Sequence, residues 1–381
     1  MSFNENKTEP SNPPISDRLN VLCAHIHQGL LSWIPPYLSE MGEICDNWFY
    51  RNPLPEVVLP LITCQAVNGN PEDSKVLRTA TAILSGLIGL QILDDTRVRN
   101  NRQSLWMKVG MERAIHYAYA FEALSNQLWV KLVQEGDASE AVFQNYQQGM
   151  MIALAGRNRV LSHYNRNWET YWKTAEMTSA HPSGHIAASG AMLARADESL
   201  IESCRIFGYH LGLARHLLEV YQCMEEPGKH LLPCHQDVNL PILYALKCNH
   251  PGKAELANII QQDQLALHQQ RVIEILDATD AKGYLMWAAL QERKRALEAV
   301  KPCPNEEGKQ LMEAFLMGWF EQSTAFAGRE EVNLPDEKKM EIPHREFDPK
   351  EMSSGLSSIS YRSIGLGLRH QIRQTPLQPG T

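Results

Sequence analysis

The sequence predicts an all-α fold, a single large helical bundle, and three observations carry that prediction. From residue 16 to about 328, apolar side chains recur at three- and four-residue spacing, the period of an amphipathic helix. Strand-like alternation of apolar and polar residues is scarce. Turn-forming clusters cut the pattern at short intervals, at Ile34-Pro-Pro36, Asn68-Gly-Asn-Pro71, Glu135-Gly-Asp137, His181-Pro182, Glu226-Pro-Gly228, Asn249-His-Pro-Gly252 and Lys301-Pro-Cys-Pro304. Between them lie about a dozen candidate helices, the long ones covering 72–93, 104–134, 138–163, 198–225, 252–278 and 280–300.

Taken in order, residues 1–15 form a polar stretch without the apolar core of a signal peptide and are expected to be a disordered leader. Residues 16–328 form the helical domain. The 381-residue length suits two domains or one large single-core domain, and a 44% hydrophobic content is ample for either core. Residues 329–381 are first charge-dense and then rich in Ser, Gly and Gln, so a disordered tail is expected. The net charge of −8 leaves no basic footprint for nucleic acid. Eight cysteines with no C-x-x-C pair fit free thiols in a reducing compartment. The strongly apolar stretches reach about a dozen residues, short of a bilayer span, so a cytoplasmic protein without a transmembrane segment is expected.

Asp94 and Asp95 end the apolar run that begins at Thr81. On a helix they place two adjacent carboxylates at one end of a buried element, where like charges repel and negative charge is disfavoured at the C-terminus. A divalent cation removes both objections, because Mg²⁺ is a hard ion that takes oxygen ligands. The other reading is a solvated helix end, since Asp is also a common turn residue.

Several segments, in order, resemble the polyprenyl synthetase family of isoprenoid synthases. Leu90-Gln-Ile-Leu-Asp94-Asp95 is similar to the family's first aspartate-rich motif, D-D-x-x-D, and Ser104 to Gly110 with Ala114-Ile115 to the segment that follows it. Tyr171-Trp-Lys173-Thr174-Ala175, with Gly184, Ala188 and Gly190-Ala191, resembles the lysine-threonine motif and its small-residue helix. Gly208-Tyr-His-Leu-Gly212-Leu-Ala214 resembles the lead-in to the second aspartate-rich motif, and Asn239-Leu240-Pro241-Ile-Leu-Tyr244-Ala-Leu246 the T-L-P-x-x-Y-A-L stretch after it. The match covers roughly residues 20–325 and implies the isoprenoid synthase bundle around a central cavity.

The departures are as informative. Val98 replaces the third aspartate of the first motif, and the second motif reads Glu219-Val220-Tyr-Gln-Cys223. Arg157 and Val160 fall within the family's G-Q/E-x-x-D-L segment, and Asp237 replaces a lysine. Pro55-Glu56-Val57-Val58-Leu59-Pro60 stands where the family has the basic motif that holds isopentenyl diphosphate.

The resemblance implies Mg²⁺ held by Asp94, Asp95 and Glu219, and Glu226, two turns after Glu219 on the same helix face, is placed to add an oxygen. The resemblance further implies a substrate diphosphate gripped by Lys173, Arg99, Arg102 and Arg157, with Asp94, Asp95 and Lys173 as the catalytic set. Lewis-acid help and cationic donors both stabilise a departing pyrophosphate. The thinned acidic set beside extra arginines shifts phosphate binding toward guanidinium. Other roles stand beside these. Glu219 can pair with Arg215 one turn earlier. His216, Glu219 and Cys223 share a helix face that is either a zinc-like set or a buried polar face. Trp106, Tyr164 and Trp168 suit either a carbocation cavity or the core.

Loss of the isopentenyl diphosphate motif favours an enzyme that ionises an allylic prenyl diphosphate and then cyclises, eliminates or captures water, a terpene synthase on a prenyl synthase scaffold. The alternatives are a chain-elongating prenyl diphosphate synthase, a non-catalytic subunit that pairs with an active one, and a prenyl-chain binder. The resemblance also implies a homodimer, or a heterodimer in the subunit case.

Overall fold

A computed structural model of the chain describes residues 15–52, 56–96, 104–161, 167–225 and 239–321, except 263 and 266. The chain divides into two units, residues 1–340 and 341–381, and all described residues belong to the first. Most of the expected leader, the expected tail, and Val98, Arg99, Arg102, Tyr164, Glu226 and Asp237 lie outside the described residues.

The described residues form fifteen α-helices and no strand. The first are α1 (Ile15–Trp33), α2 (Glu40–Arg51) and the short, wholly buried α3 (Leu59–Ala66). Helix α4 (Ser74–Asp95) starts where the Asp73 side chain accepts the Lys75 backbone N–H, satisfying one orphan donor of the first turn. The stretch expected as one helix over 104–134 is two, α5 (Leu105–Val109) and α6 (Met111–Gln134). They part at Gly110, whose φ of +88° only glycine adopts readily. Helix α7 (Glu140–Leu161) leads to α8 (Trp168–Ala175), which Asn167 caps by accepting from the Thr170 N–H.

His181-Pro182 does not break the chain as expected. Residues Glu176–Ala180 form one π-helical turn that carries α8 directly into α9 (His181–Leu193). Pro182 sits at the start of α9, where its missing N–H is tolerated. Helix α10 (Glu198–Glu225) follows, then α11 (Leu240–Lys247), capped by Asn239. The expected helix over 252–278 divides into α12 (Lys253–Gln261) and α13 (Gln269–Ala278). The last two are α14 (Ala281–Val300) and α15 (Glu306–Glu321).

Helices α4, α9 and α10 hold the centre: α4 packs on α6, α10 on α9 and α14, and α9 on α3 and α7. By length and composition α4 passes as a membrane span, longer than the dozen apolar residues counted in the sequence. Most of it, 72% of its most apolar window, is buried against other helices, so its composition is that of a core element. No disulfide joins the seven described cysteines.

The small residues noted in α9 have a packing reason. A Cβ placed on Gly190 would stand 2.1 Å from the Pro60 carbonyl oxygen of α3, and one on Gly212 of α10 would stand 2.4 Å from the Ser179 oxygen. Both obstacles are backbone and cannot rotate away. Gly190→Ala is therefore expected to lower stability by about 2–3 kcal/mol through overpacking, read as a fall in the urea midpoint at unchanged slope. A midpoint equal to that of the parent protein would show that α3 and α9 separate without cost.

Candidate functional site

A helix returns to the same face after three, four and seven residues. On α4 that rule puts Leu87, Leu90, Gln91 and Asp94 in one row, and on α10 it aligns Arg215, Glu219 and Gln222. Both rows face a cavity of about 520 Å³. Trp48 and Arg51 of α2 with the following Asn52, Glu56 before α3, Arg157 and Val160 of α7, Thr178 and Ser179 of the π turn and Trp319 of α15 complete its wall. The π turn thus brings to the wall two hydroxyl residues from a segment where the sequence suggests a chain break, in line with the frequent occurrence of π turns at functional sites.

Asp94 and Asp95 line different spaces. Consecutive helical residues point about 100° apart. Asp94 faces the main cavity, while Asp95 opens into a smaller hollow bounded by α2, Ile88, Ile92 and Leu105. There its carboxylate lies 3.8 Å from Arg51 Nη1, and its backbone carbonyl accepts from Trp106 Nε1 at 2.8 Å. Burial raises the Asp95 pKa above the ordinary carboxylate value; Arg51 opposes that rise and the Asp94 charge adds to it.

The carboxylates of the main cavity meet guanidinium groups. Arg157 Nε–H donates to both Asp94 oxygens, at 2.9 and 2.8 Å. Arg215 lies between two acids, with Nη1 2.9 Å from Glu56 Oε1 and Nε 3.2 Å from Glu219 Oε1. Glu56, only 7% exposed, also accepts from Ser183 Oγ at 2.6 Å. Burial opposes the charge of Arg215, but Glu56 and Glu219 outweigh it and hold its pKa above the usual value. The indole of Trp319 lies against the same guanidinium, 5.6 Å from ring centre to Cζ.

The expected Mg²⁺ ligands are tested by this arrangement. Asp94 has both oxygens on Arg157, Glu219 is on Arg215, and Asp95 faces the other hollow. Among the described residues, no group of three or more His, Cys, Asp or Glu side chains is placed to hold a metal ion. These residues do not fit a preformed Mg²⁺ cage, which needs several oxygens in near-octahedral array. The pairing of Glu219 with Arg215 is the alternative its one-turn spacing allows.

The other expected residues separate. Arg157 joins Asp94 and Glu219 on the cavity wall, whereas Lys173 is exposed on α8 and is not part of that wall. His216 turns to the neighbouring face of α10, where Tyr171 Oη lies 2.7 Å from its Nε2, and Cys223 is exposed. The Tyr171–His216 pair is a part-buried polar contact, and the face forms no zinc set. Trp168 is core, packed near Tyr284.

Arg51, Glu56, Trp48 and Trp319 escape the sequence reading. Only Glu56 leaves a signal: a lone acid at the head of the apolar run Val57 to Ile62 needs a buried cation. Nothing in the order of residues points to Arg51 or the tryptophans.

No protein-family model matches this chain. It is 22% identical over 315 residues to heptaprenyl diphosphate synthase component 2 of Bacillus subtilis, covering 79% of this chain and 86% of that protein. It is 24% identical over 212 residues to geranylgeranyl diphosphate synthase of Mycobacterium tuberculosis, covering 51% of this chain and 59% of the relative. Its fold matches the crystal structure of a Caulobacter crescentus polyprenyl synthase complexed with calcium and isoprenyl diphosphate. There the TM-score is 0.66 at 14% identity, over 79% of this chain and 95% of that one. The chain has the all-α fold of these isoprenyl synthases and is similar in sequence to polyprenyl diphosphate synthases.

Proposed function

We propose that the chain is a prenyl diphosphate synthase-type protein whose cavity takes an allylic prenyl diphosphate. One observation carries the reading: remnants of both motifs, Asp94 on α4 and Glu219 on α10, meet across one cavity with Arg157 and Arg215 beside them. In chain elongation the allylic C–O bond breaks and pyrophosphate leaves with its electrons. The alkene of isopentenyl diphosphate then attacks the cation, and a proton is lost. The negative charge that develops on the leaving group is what fixed guanidinium groups stabilise. The relatives are diphosphate synthases, so elongation replaces the cyclisation suggested by the missing basic motif. Mg²⁺ is included in the assay for this reading.

A second reading rests on the arginine-paired acids, which suit a subunit without turnover that partners an active synthase. The Bacillus relative is itself described as one component of a synthase. Incubation with labelled isopentenyl diphosphate, Mg²⁺ and geranyl, farnesyl or geranylgeranyl diphosphate separates the two. Label in a longer prenyl diphosphate from the chain alone is the expected result. A change of product length only after mixing with an active prenyl synthase moves the assignment to the subunit. Pyrophosphate release without isopentenyl diphosphate would restore cyclisation, and silence in every arm would end both readings.

A further inference from the structure

We propose that this cavity binds a diphosphate group through guanidinium donors, Arg157 foremost, without a divalent cation, and that Asp94 holds Arg157 in place until the ligand arrives. The proposal rests on the preceding reading that the cavity takes a diphosphate, and it adds how.

Three guanidinium groups, Arg51, Arg157 and Arg215, face the four carboxylates of Glu56, Asp94, Asp95 and Glu219 across the cavity and its neighbouring hollow. Each acid therefore has a cation at hand. A dication arriving at Asp94 has to displace Arg157 and then sit beside it, a like-charge contact that Arg215 aggravates, since it too lies within the electrostatic reach of Asp94. A diphosphate meets the opposite situation. It offers more charge and more oxygens than Asp94, and the planar guanidinium fork matches phosphate oxygens two at a time. Asp94 engages Arg157 through the Nε–H, one of five donors on that side chain. Asp94 is also the more exposed member of the pair, its side chain 34% accessible against 19% for Arg157, so it is the partner better placed to turn away. The competition is thus between two anions for one arginine, rather than between two cations for one aspartate.

The two schemes give opposite signs for a single substitution. In titration calorimetry of the full chain with inorganic pyrophosphate in EDTA, binding is expected, and adding Mg²⁺ in place of EDTA should change the Kd by less than about threefold. Asp94→Asn removes the competing anion and should tighten binding about tenfold, whereas loss of a metal ligand would weaken it. Arg157→Gln should weaken binding tenfold or more. Arg157→Lys, which keeps the charge and loses the fork, should fall between, with circular dichroism checking that each variant retains its helices. Binding that appears only with Mg²⁺, or that Asp94→Asn weakens or leaves unchanged, overturns the proposal while leaving the prenyl diphosphate reading intact. Binding in EDTA that ignores Arg157→Gln overturns it as well. No binding of pyrophosphate in either buffer removes both.

Discussion

Arg215→Met is expected to destabilise the protein by about 3 kcal/mol, at the low end of the 3–5 kcal/mol typical for breaking a buried ion pair. The cost lies mainly in what remains. Glu56 is 7% exposed and keeps one neutral donor, Ser183 Oγ, so an uncompensated carboxylate stays in the core. The lower figure applies because the Arg215 side chain is itself 25% accessible and Glu219 is more than half accessible. The solvent-facing half of the bridge, Arg215 to Glu219, contributes little on its own. The test is a double-mutant cycle in urea. Glu56→Gln combined with Arg215→Met should recover most of the loss, because both charges are then gone and the neutral amide can still bond Ser183. If the double variant is as unstable as the sum of the singles, the Glu56–Arg215 contact is not what holds α10 to the segment before α3.

The second large effect is on pH. Burial pushes the pKa of His181 down to about 4, of His185 to about 3 and of His216 to about 4, with Arg205 beside the first two and Arg215 beside the third. In the unfolded chain each titrates near 6.5. Between those values the unfolded state binds protons that the native state refuses, so stability falls as pH falls. Their contribution is complete above about pH 6.5, declines by up to roughly 1.4 kcal/mol per pH unit for each histidine, and is exhausted once the pH passes below their folded values. Urea midpoints measured from pH 7 down to 4.5 should slope steeply downward. His185→Gln should flatten that slope while keeping a group able to face Asn145 and Arg205. A slope identical in the variant would mean that His185 is protonated in the native protein.

The helices were legible because their signals are local. The apolar period, the caps at Asp73, Asn167 and Asn239 and the breaks at proline and glycine act within a few residues. Errors arose where tertiary contact overrode a local rule. Pro182 opens α9 directly after a π turn rather than marking a break, and one continuous apolar period hides the break at Gly110. The site was half legible. Asp94 stands out at the end of its apolar run, Glu219 and Arg157 through the resemblance, and the structure gathers all three on one wall. Lys173 was singled out through the resemblance as well and stays exposed on α8. Asp95 faces a separate hollow, since adjacency in sequence is divergence on a helix.

What the sequence alone determined is the all-α class, the approximate helices and the resemblance to prenyl synthases, because periodicity and motif order are properties of neighbouring residues. Only the tertiary structure decided the counter-ions. Arg157, Arg215 and Arg51 come from three different helices, and the choice between a metal and a guanidinium for each acid depends on which charges are brought within a few ångströms of it. The energy of that choice scales with distance and dielectric, neither of which is written in the order of residues.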